Sequence, residues 1–279
     1  MRVTVYLHPQ RTVVAHWSVA DAVPVLTAYF ERASTEPLDG LFTSTDDVTV
    51  AVHGSETTFH SYPVDDTEDY RERRSFELST CLSHVREGVD VVHDVAMVAP
   101  LYRTRWHGLL VIDRAVIETI HRRVHAEAPF VADIELDIEI ARATVPTQSS
   151  PWMLMGRRGE QWYRAVIGTD HVLQVLSSIP HDENSTANVL VRDSLFEMRS
   201  ATGGLIDRVL MFGDHLTKPV YQEIVETLSD AGTRAGRLQP FSRVRTNVDD
   251  ATKSALIAKA HVLGPLVTPV LSSVTTDLL

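Results

Sequence analysis

Four acidic residues alternate with apolar ones from position 133 to 139, and three of them, Asp133, Glu135 and Asp137, are candidate metal ligands. In an extended strand every second side chain lies on the same face, so these carboxylates would form a cluster able to bind magnesium or manganese. The alternative is a strand that ends near Leu136 and a helix that begins at Asp137, which then serves as the N-cap. We prefer the helix, which would disperse the cluster.

Other reactive residue types have simpler structural interpretations. His121 and His125 stand one helical turn apart, a spacing that suits zinc only with a third ligand, and a solvated basic helix face is favoured. Ser55 is predicted on a hairpin turn without the strand-to-helix elbow of a nucleophile. Cys81 is predicted inside a helix as a small buried hydrophobe. No nucleophilic catalytic residue is therefore predicted.

Composition limits the possible partners. The chain has 26 basic and 37 acidic residues and a net charge of −11, which repels a phosphate backbone, so nucleic acid is not an expected partner. The single cysteine excludes an internal disulfide and favours a reducing compartment. Because there is no signal peptide and no run of about 18 apolar residues, we expect a cytoplasmic chain that does not insert into a membrane.

The clearest structural pattern lies between Gly203 and Phe241. An apolar run, 206–212, predicts a strand buried on both faces, and Gly213 turns the chain into a helix with Pro219 in its first turn. Apolar residues at helical spacing then lead to Gly232 and a second short strand. This stretch predicts a parallel β-α-β crossover.

The pattern of this second half repeats an earlier one. Between positions 152 and 178 three short strands are predicted, followed by helix, strand, helix, strand and helix. The first half follows the same order, with an additional helix predicted from Ser18 to Arg32 and a long one from Glu68 to Glu87. The proline-containing segment VPTQSSP separates the halves. We therefore predict two similar α/β subdomains, residues 1–145 and 146–279.

This order of elements resembles the duplicated ribonuclease-H-like fold of the actin and sugar kinase superfamily, and several stretches look like the PilM family of type IV pilus assembly proteins. The matching stretches are FHSYPVDDTEDYRERRSFEL, PFVADIELDIEIARA, WMLMGRRGEQWYRAVIGTDHVLQVLSSIP and LQPFSRV. The resemblance covers nearly the whole chain. It implies an actin-like ATPase fold in the α/β class, with two ribonuclease-H-like subdomains whose mixed sheets are flanked by helices.

The chain departs from this family where ATP would bind. ATP-using members carry an Asp-x-Gly turn in the first hairpin of each subdomain, to cradle phosphate and to orient a metal or water. The first hairpin here, YLHPQRTVV, has neither residue, and the second has Arg157 and Arg158 in place of the acid. Gly213-Asp214 stands where the family has an adenosine-binding glycine pair. If a nucleotide binds, these two arginines, Gly213 and Asp214 are the expected cofactor-binding residues.

The resemblance and its departures predict a non-catalytic actin-like scaffold or adaptor, without cofactor, that binds a protein partner. For the PilM family this implies a short peptide from a membrane-anchored partner, held in a groove of the first subdomain at the inner face of a pilus or secretion assembly. Two alternatives stay open: an ATP-binding or phosphotransfer enzyme that uses ATP and magnesium in an altered cleft, and a metal-dependent hydrolase built on Asp133, Glu135 and Asp137.

Overall fold

The protein folds into two mixed sheets with helices, as seen in a computed structural model that describes residues 1–21, 23–54, 57–63, 93–98, 106–124, 130–146, 148–169, 171 and 173–276. Among these residues the strands are β1 Arg2–His8, β2 Arg11–Ala20, β3 Val23–Ala33, β4 Asp47–Val52, β5 Thr57–Pro63, β6 His93–Val98, β7 Trp106–Asp113, β8 Phe130–Ala132, β9 Trp152–Arg158, β10 Gln161–Ile167, β11 Leu173–Pro180, β12 Arg208–Gly213, β13 Arg234–Arg237 and β14 Arg245–Thr246. The helices are α1 Arg114–Val124, α2 Asp133–Thr144, α3 Ala187–Thr202, α4 Lys218–Asp230, α5 Asp250–Ala258 and α6 Gly264–Thr276, with a 3₁₀ turn at Pro240–Arg243.

The two large sheets have the same internal strand order, which confirms the predicted duplication. The first sheet runs β14-β3-β2-β1-β4-β8 and the second runs β11-β10-β9-β12-β13. In each half an antiparallel meander of three strands is extended by parallel strands: β4 and β8 join β1, and β12 and β13 join β9. A smaller antiparallel sheet, β5-β7-β6, is inserted in the first half.

Alternation along the central strands divides the apolar side chains between separate cores. On β1, Val3 and Val5 face an outer core that includes α1, whereas Tyr6 belongs to a core shared by both sheets. On β9, Met153 and Met155 face the outer core beneath α3 and α4, and Trp152 and Leu154 face the shared core. The shared core also contains the apolar faces of α2 and α6, so these two helices lie between the sheets.

The segment from β14 to α6 returns to the first sheet. β14 pairs in parallel with β3. In the buried core, the hydroxyl of Thr4 on β1 donates to the carbonyl of Leu266 on α6 at 2.9 Å, and Thr268 on the same helix donates to the carbonyl of Leu136 at 2.8 Å. The division into residues 1–145 and 146–279 stays a prediction, because elements of the second segment complete the packing of the first sheet.

The predicted helix from Ser18 to Arg32 is wrong. The chain remains in β2 to Ala20, turns through Asp21 with a φ of 52°, and returns antiparallel as β3. The register with β2 shifts where His16 pairs with Ala28 and Trp17 pairs with Leu26, which leaves Thr27 as an extra residue in β3. Because of this bulge, the buried positions of β3 need not follow a strict period of two. With this correction both halves begin with the same three-stranded meander. The predicted helix 68–87 lies outside the described residues, as do Ser55, Cys81 and His125.

The second half follows its predicted order closely. The strand predicted at 206–212 is β12, and α4 begins with Lys218 and Pro219 and ends at Asp230.

In the first half, helix α2 begins earlier than predicted, at Asp133, so β8 has only three residues. Among the described residues, no helix is both long and apolar enough to cross a bilayer.

Candidate functional site

Arg158 is the centre of the candidate site. It is the last residue of β9, and its side chain is completely buried. Its Nε donates to Asp137 Oδ2 at 2.9 Å, its Nη1 donates to the hydroxyl of Tyr6 at 3.0 Å, and its Nη2 donates to the carbonyl of Val262 at 3.1 Å. All three guanidinium nitrogens therefore donate hydrogen bonds inside the chain. Arg158, Tyr6, Asp133, Asp137 and Asp214 are called the Arg158 cluster below.

Two of the carboxylates come from the first turns of α2. Asp133 and Asp137 are four residues apart, so they lie on the same face of the helix, and both are fully buried. Asp137 Oδ2 also lies 2.7 Å from Nη2 of Arg158, and Asp133 Oδ2 lies 3.6 Å from its Nε. Asp133 Oδ2 accepts hydrogen bonds from the hydroxyl of Tyr6 at 3.1 Å and from the backbone N–H of Gly54 at 3.2 Å.

The third carboxylate, Asp214, follows β12 and reaches towards the first sheet. Its Oδ1 lies 3.7 Å from Nη1 of Arg158. Its Oδ2 lies 2.9 Å from Nε2 of His53 and 3.4 Å from Nε2 of His8. Both histidines are buried, whereas the Asp214 side chain is one-third exposed. These contacts join the turn after β12 to the carboxyl ends of β1 and β4.

The site therefore lies where the carboxyl ends of parallel strands from both sheets meet, the usual position of ligands in α/β sheets. His8 ends β1, His53 follows β4, Asp133 follows β8 and Asp214 follows β12. The backbone is also closely packed here. A Cβ on Gly54 would lie 3.0 Å from Cβ of Arg158, and a Cβ on Gly213 would lie 2.3 Å from the carbonyl oxygen of Arg157. Both glycines permit this approach.

The electrostatics follow from three carboxylates that share one guanidinium. Burial raises the pKa of Asp137 to about 8, because desolvation and the neighbouring Asp133 outweigh the attraction of Arg158. Burial also disfavours ionised Asp214, but hydrogen bonds from His53 and His8 and the charge of Arg158 hold its pKa well below the usual range. Burial opposes the charge on Arg158, yet the surrounding Asp137 and Asp133 keep its pKa well above its usual value. The guanidinium thus stays charged.

His8, His53 and Asp214 also form a group whose ligand atoms lie within 4.8 Å of one another, a set that resembles a two-histidine, one-carboxylate metal site. The hydrogen bonding of His8 argues against this function. Its Nδ1 accepts from the backbone N–H of Gln10 at 3.2 Å, so the proton of the neutral ring lies on Nε2, the atom that faces Asp214. A metal-binding histidine has the reverse arrangement. The group therefore suits hydrogen bonds better than a metal ion.

The structure brings together only some of the predicted site residues. Arg158, Asp214, Asp133 and Asp137 meet, although the sequence analysis assigned them to two different hypothetical sites. Arg157 points elsewhere: its Nε donates to the carbonyl of Gly159, and its Nη2 lies 3.3 Å from Glu160. Gly213 contributes a backbone turn with a φ of 97°.

The expectation that a helix would disperse the carboxylates is wrong for Asp133 and Asp137. Because the helix begins four residues earlier than predicted, they occupy successive turns of one face. Glu135 belongs to the same helix, but its side chain lies outside the described part of the structure. Of the two histidines that were predicted on a solvated basic helix face, His121 is exposed on α1, and His125 lies outside the described residues.

Three residues of the site were missed by sequence reasoning: Tyr6, His8 and His53. Tyr6 and Thr4 share a strand face opposite the apolar Val3 and Val5, and this alternation is visible in the sequence. The alternation predicts that Tyr6 is buried in the core, but it does not predict the hydrogen bond between Tyr6 and Arg158. No local signal relates His8 to His53, because their proximity depends on the parallel pairing of β1 with β4.

A groove of about 400 Å³ opens beside His8 on the outer side of the first sheet. Its apolar wall includes Leu7, Val52 and Ile120, and its polar residues include Thr119 and Arg123. Nη2 of Arg123 donates to the hydroxyl of Thr12 at 2.8 Å, and partial burial lowers the pKa of this arginine. The volume and the mixed lining are those of a ligand pocket. We call this pocket the α1 groove.

Comparison with known proteins identifies the fold. No protein-family model matches the chain, and no curated protein matches it by sequence. Among solved structures, the chain is similar to a Bacteroides thetaiotaomicron protein with an actin-like ATPase fold and unknown function (TM-score 0.60, 13% identity, 92% of this chain and 95% of the other covered). It is also similar to the PilM-PilN type IV pilus biogenesis complex (TM-score 0.64, 12% identity, 98% of each chain covered). The predicted actin-like fold, of two ribonuclease-H-like subdomains, is confirmed.

Proposed function

We propose that this actin-like chain is a non-catalytic scaffold that binds a protein partner, and that Arg158 takes the place of a bound nucleotide. The observation that carries the proposal is the complete burial of the Arg158 guanidinium between turns from both halves of the chain. A phosphate would have to displace a guanidinium that already uses all three nitrogens. It would also meet the carboxyl groups of Asp133, Asp137 and Asp214, whose ionised forms repel it.

The α1 groove is the proposed partner site. Its apolar wall suits one or two aliphatic side chains of a peptide, and Arg123 at its edge suits a carboxylate or a backbone carbonyl. The PilM-PilN structure is a complex of two pilus biogenesis proteins, and its similarity over nearly the full length supports a protein partner here. We propose the cytoplasmic tail of a membrane-anchored protein, in a pilus or secretion assembly, as the source of the peptide.

The groove is tested with synthetic peptides from the cytoplasmic tails of membrane proteins encoded beside this chain, measured by fluorescence anisotropy. We expect one peptide to bind the wild type, and Thr119→Trp to weaken binding at least about tenfold, because the indole fills the groove. Val189→Trp is the matched control, since Val189 is exposed on α3 in the other half. The groove proposal fails if no peptide binds or if Thr119→Trp binds as tightly as the control.

The scaffold proposal also predicts that Mg-ATP does not stabilise the wild type. A ligand present at about 100 times its dissociation constant adds about 2.7 kcal/mol to the free energy of unfolding, which raises the melting temperature of a chain of this size by several degrees. Thermal unfolding at increasing Mg-ATP should therefore show no concentration-dependent rise. A rise would favour the phosphotransfer enzyme, with Arg158 and Asp214 in its cleft.

A further inference from the structure

A second groove, of about 470 Å³, lies at the edge of the first sheet between α5, β14 and the 3₁₀ turn that precedes β14. The apolar residues that line it are Phe241, Val244, Leu256 and Ile257. Leu256 is buried, whereas Ile257 is 58% exposed. Among the described residues, the charged side chains in this lining are both cations, Arg245 and Lys253. This pocket, called the α5 groove below, therefore suits an apolar side chain with acidic neighbours.

The outer face of α3, in the other half of the chain, has the opposite charge pattern. One side of this helix is buried against the second sheet, and Phe196 lies on the other side with 55% of its surface exposed. Asp193 and Glu197 stand one helical turn apart along one flank of Phe196, and more than half of each side chain is exposed. Glu197 contacts Arg164, which is itself buried, and Asp193 contacts Arg192 on the opposite flank. The α3 face thus presents a phenyl ring with two carboxylates along one side.

Charge decides how these two surfaces can pair between copies of the chain. A contact between two α5 grooves would bring cations together, and a contact between two α3 faces would bring carboxylates together. Only the contact of an α3 face with an α5 groove brings the carboxylates to Lys253 and Arg245. Arg245 Nη1 lies 3.3 Å from Asp21 Oδ2, and both side chains are exposed, so this weak ion pair does not prevent the approach of another carboxylate.

We propose that the chain associates with a second copy of itself, head to tail, by inserting Phe196 of α3 into the α5 groove. The two surfaces differ, so the contact is heterologous and each pair retains one open groove and one open α3 face. A buried phenyl ring contributes about 150–250 Å², so the interface is smaller than the roughly 1,600 Å² of a standard stable complex. We therefore expect weak association, with a Kd above about 10 µM. The α5 groove shares no residue with the α1 groove, so this inference does not depend on the proposed tail-peptide site.

Sedimentation velocity of the full chain, from about 5 to about 500 µM, tests this association. We expect the weight-average sedimentation coefficient of the wild type to rise reversibly with concentration. Phe196→Lys and Ile257→Asp should each weaken association at least about tenfold, because each new charge has the sign of the opposing surface. Both residues are exposed, so the fold should be unaffected. Gln222→Lys and Gln222→Asp, at an exposed position of α4, are the matched controls and should associate as the wild type does.

A mixture of the two variants distinguishes the head-to-tail contact from any other arrangement. Phe196→Lys retains its α5 groove and Ile257→Asp retains its α3 face, so an equimolar mixture should form a one-to-one pair that grows no further. The proposal is overturned if the wild type stays monomeric up to about 500 µM, a concentration at which a Kd of this order populates dimers. It is equally overturned if either single variant associates as strongly as the wild type, or if the mixture stays monomeric.

Discussion

Replacing Arg158 with methionine is expected to lower the free energy of unfolding by about 3–5 kcal/mol, the usual cost of removing one partner of a buried ion pair. Methionine fills most of the volume but leaves the carboxyl groups of Asp133 and Asp137 buried without the guanidinium that contacts them. It also removes the hydrogen bonds to Tyr6 and to the carbonyl of Val262, which connect three separate parts of the chain. Urea unfolding followed by circular dichroism measures the loss.

Arg157→Met is the matched control, because it removes the same charge from the adjacent residue. Arg157 is partly exposed, and in the described part of the chain its side chain hydrogen-bonds to the neighbouring turn through Gly159 and Glu160, so its loss should cost less than about 1 kcal/mol. Adding Asp137→Asn to Arg158→Met should cost less than the sum of the single changes, since both changes disrupt the same hydrogen-bonded pair. A loss for Arg158→Met as small as that of the control would contradict the assignment of Arg158 as the central ion of the site.

The second large effect is expected at Gly213. Its φ of 97° is unfavourable for any residue with a Cβ, and that Cβ would lie 2.3 Å from the carbonyl oxygen of Arg157. The backbone N–H of Gly213 also donates to the carbonyl of His261 at 3.0 Å, so the turn cannot shift without losing this bond. We expect Gly213→Ala to lower the free energy of unfolding by about 3 kcal/mol, from strain and overpacking together.

Gly232→Ala separates the two contributions to this loss. Gly232 also has a positive φ, 68°, but apart from its chain neighbours no atom of the described residues lies within 4 Å of the position that its Cβ would take. Only the conformational cost applies there, about 1 kcal/mol. The comparison uses equilibrium unfolding of both variants under the same conditions. If Gly213→Ala and Gly232→Ala lose the same free energy, the close packing of the turn after β12 against β9 makes no energetic contribution.

Together these predictions describe a cleft that is held together by its own side chains. Arg158 contacts α2, β1 and the segment before α6, and Asp214 contacts His8 and His53. His8 also lines the α1 groove, so the proposed partner site and the Arg158 cluster share a residue. In an enzyme that opens and closes on nucleotide, such a network would have to break in every cycle, which would be costly for buried charges.

Sequence reasoning succeeded where local patterns carried the information. The second half was predicted in its order because its strands are separated by clear turn signals and α4 has proline at its start. It failed at β3, where the apolar residues fit a helical period and a bulge alters the pairing with β2. It also placed the start of α2 four residues late, because alternation of acidic and apolar residues fits a strand, whereas packing between the two sheets favours a helix.

By itself, the sequence determined the duplicated architecture, the absence of an Asp-x-Gly turn from both hairpins, and the presence of Arg158 and Asp214 at positions where ATP-using members of the resembling family have other residues. These follow from the order of elements and from residue types at known turns. Only the tertiary structure decided what Arg158 does. Its place at the end of β9, on the same face as Trp152 and Leu154, directs it into the shared core, and its partners Tyr6, Asp133 and Asp137 are distant in sequence. An arginine there is tolerated only because separate strands and a helix bring these carboxylates to it, and a linear sequence does not record that convergence.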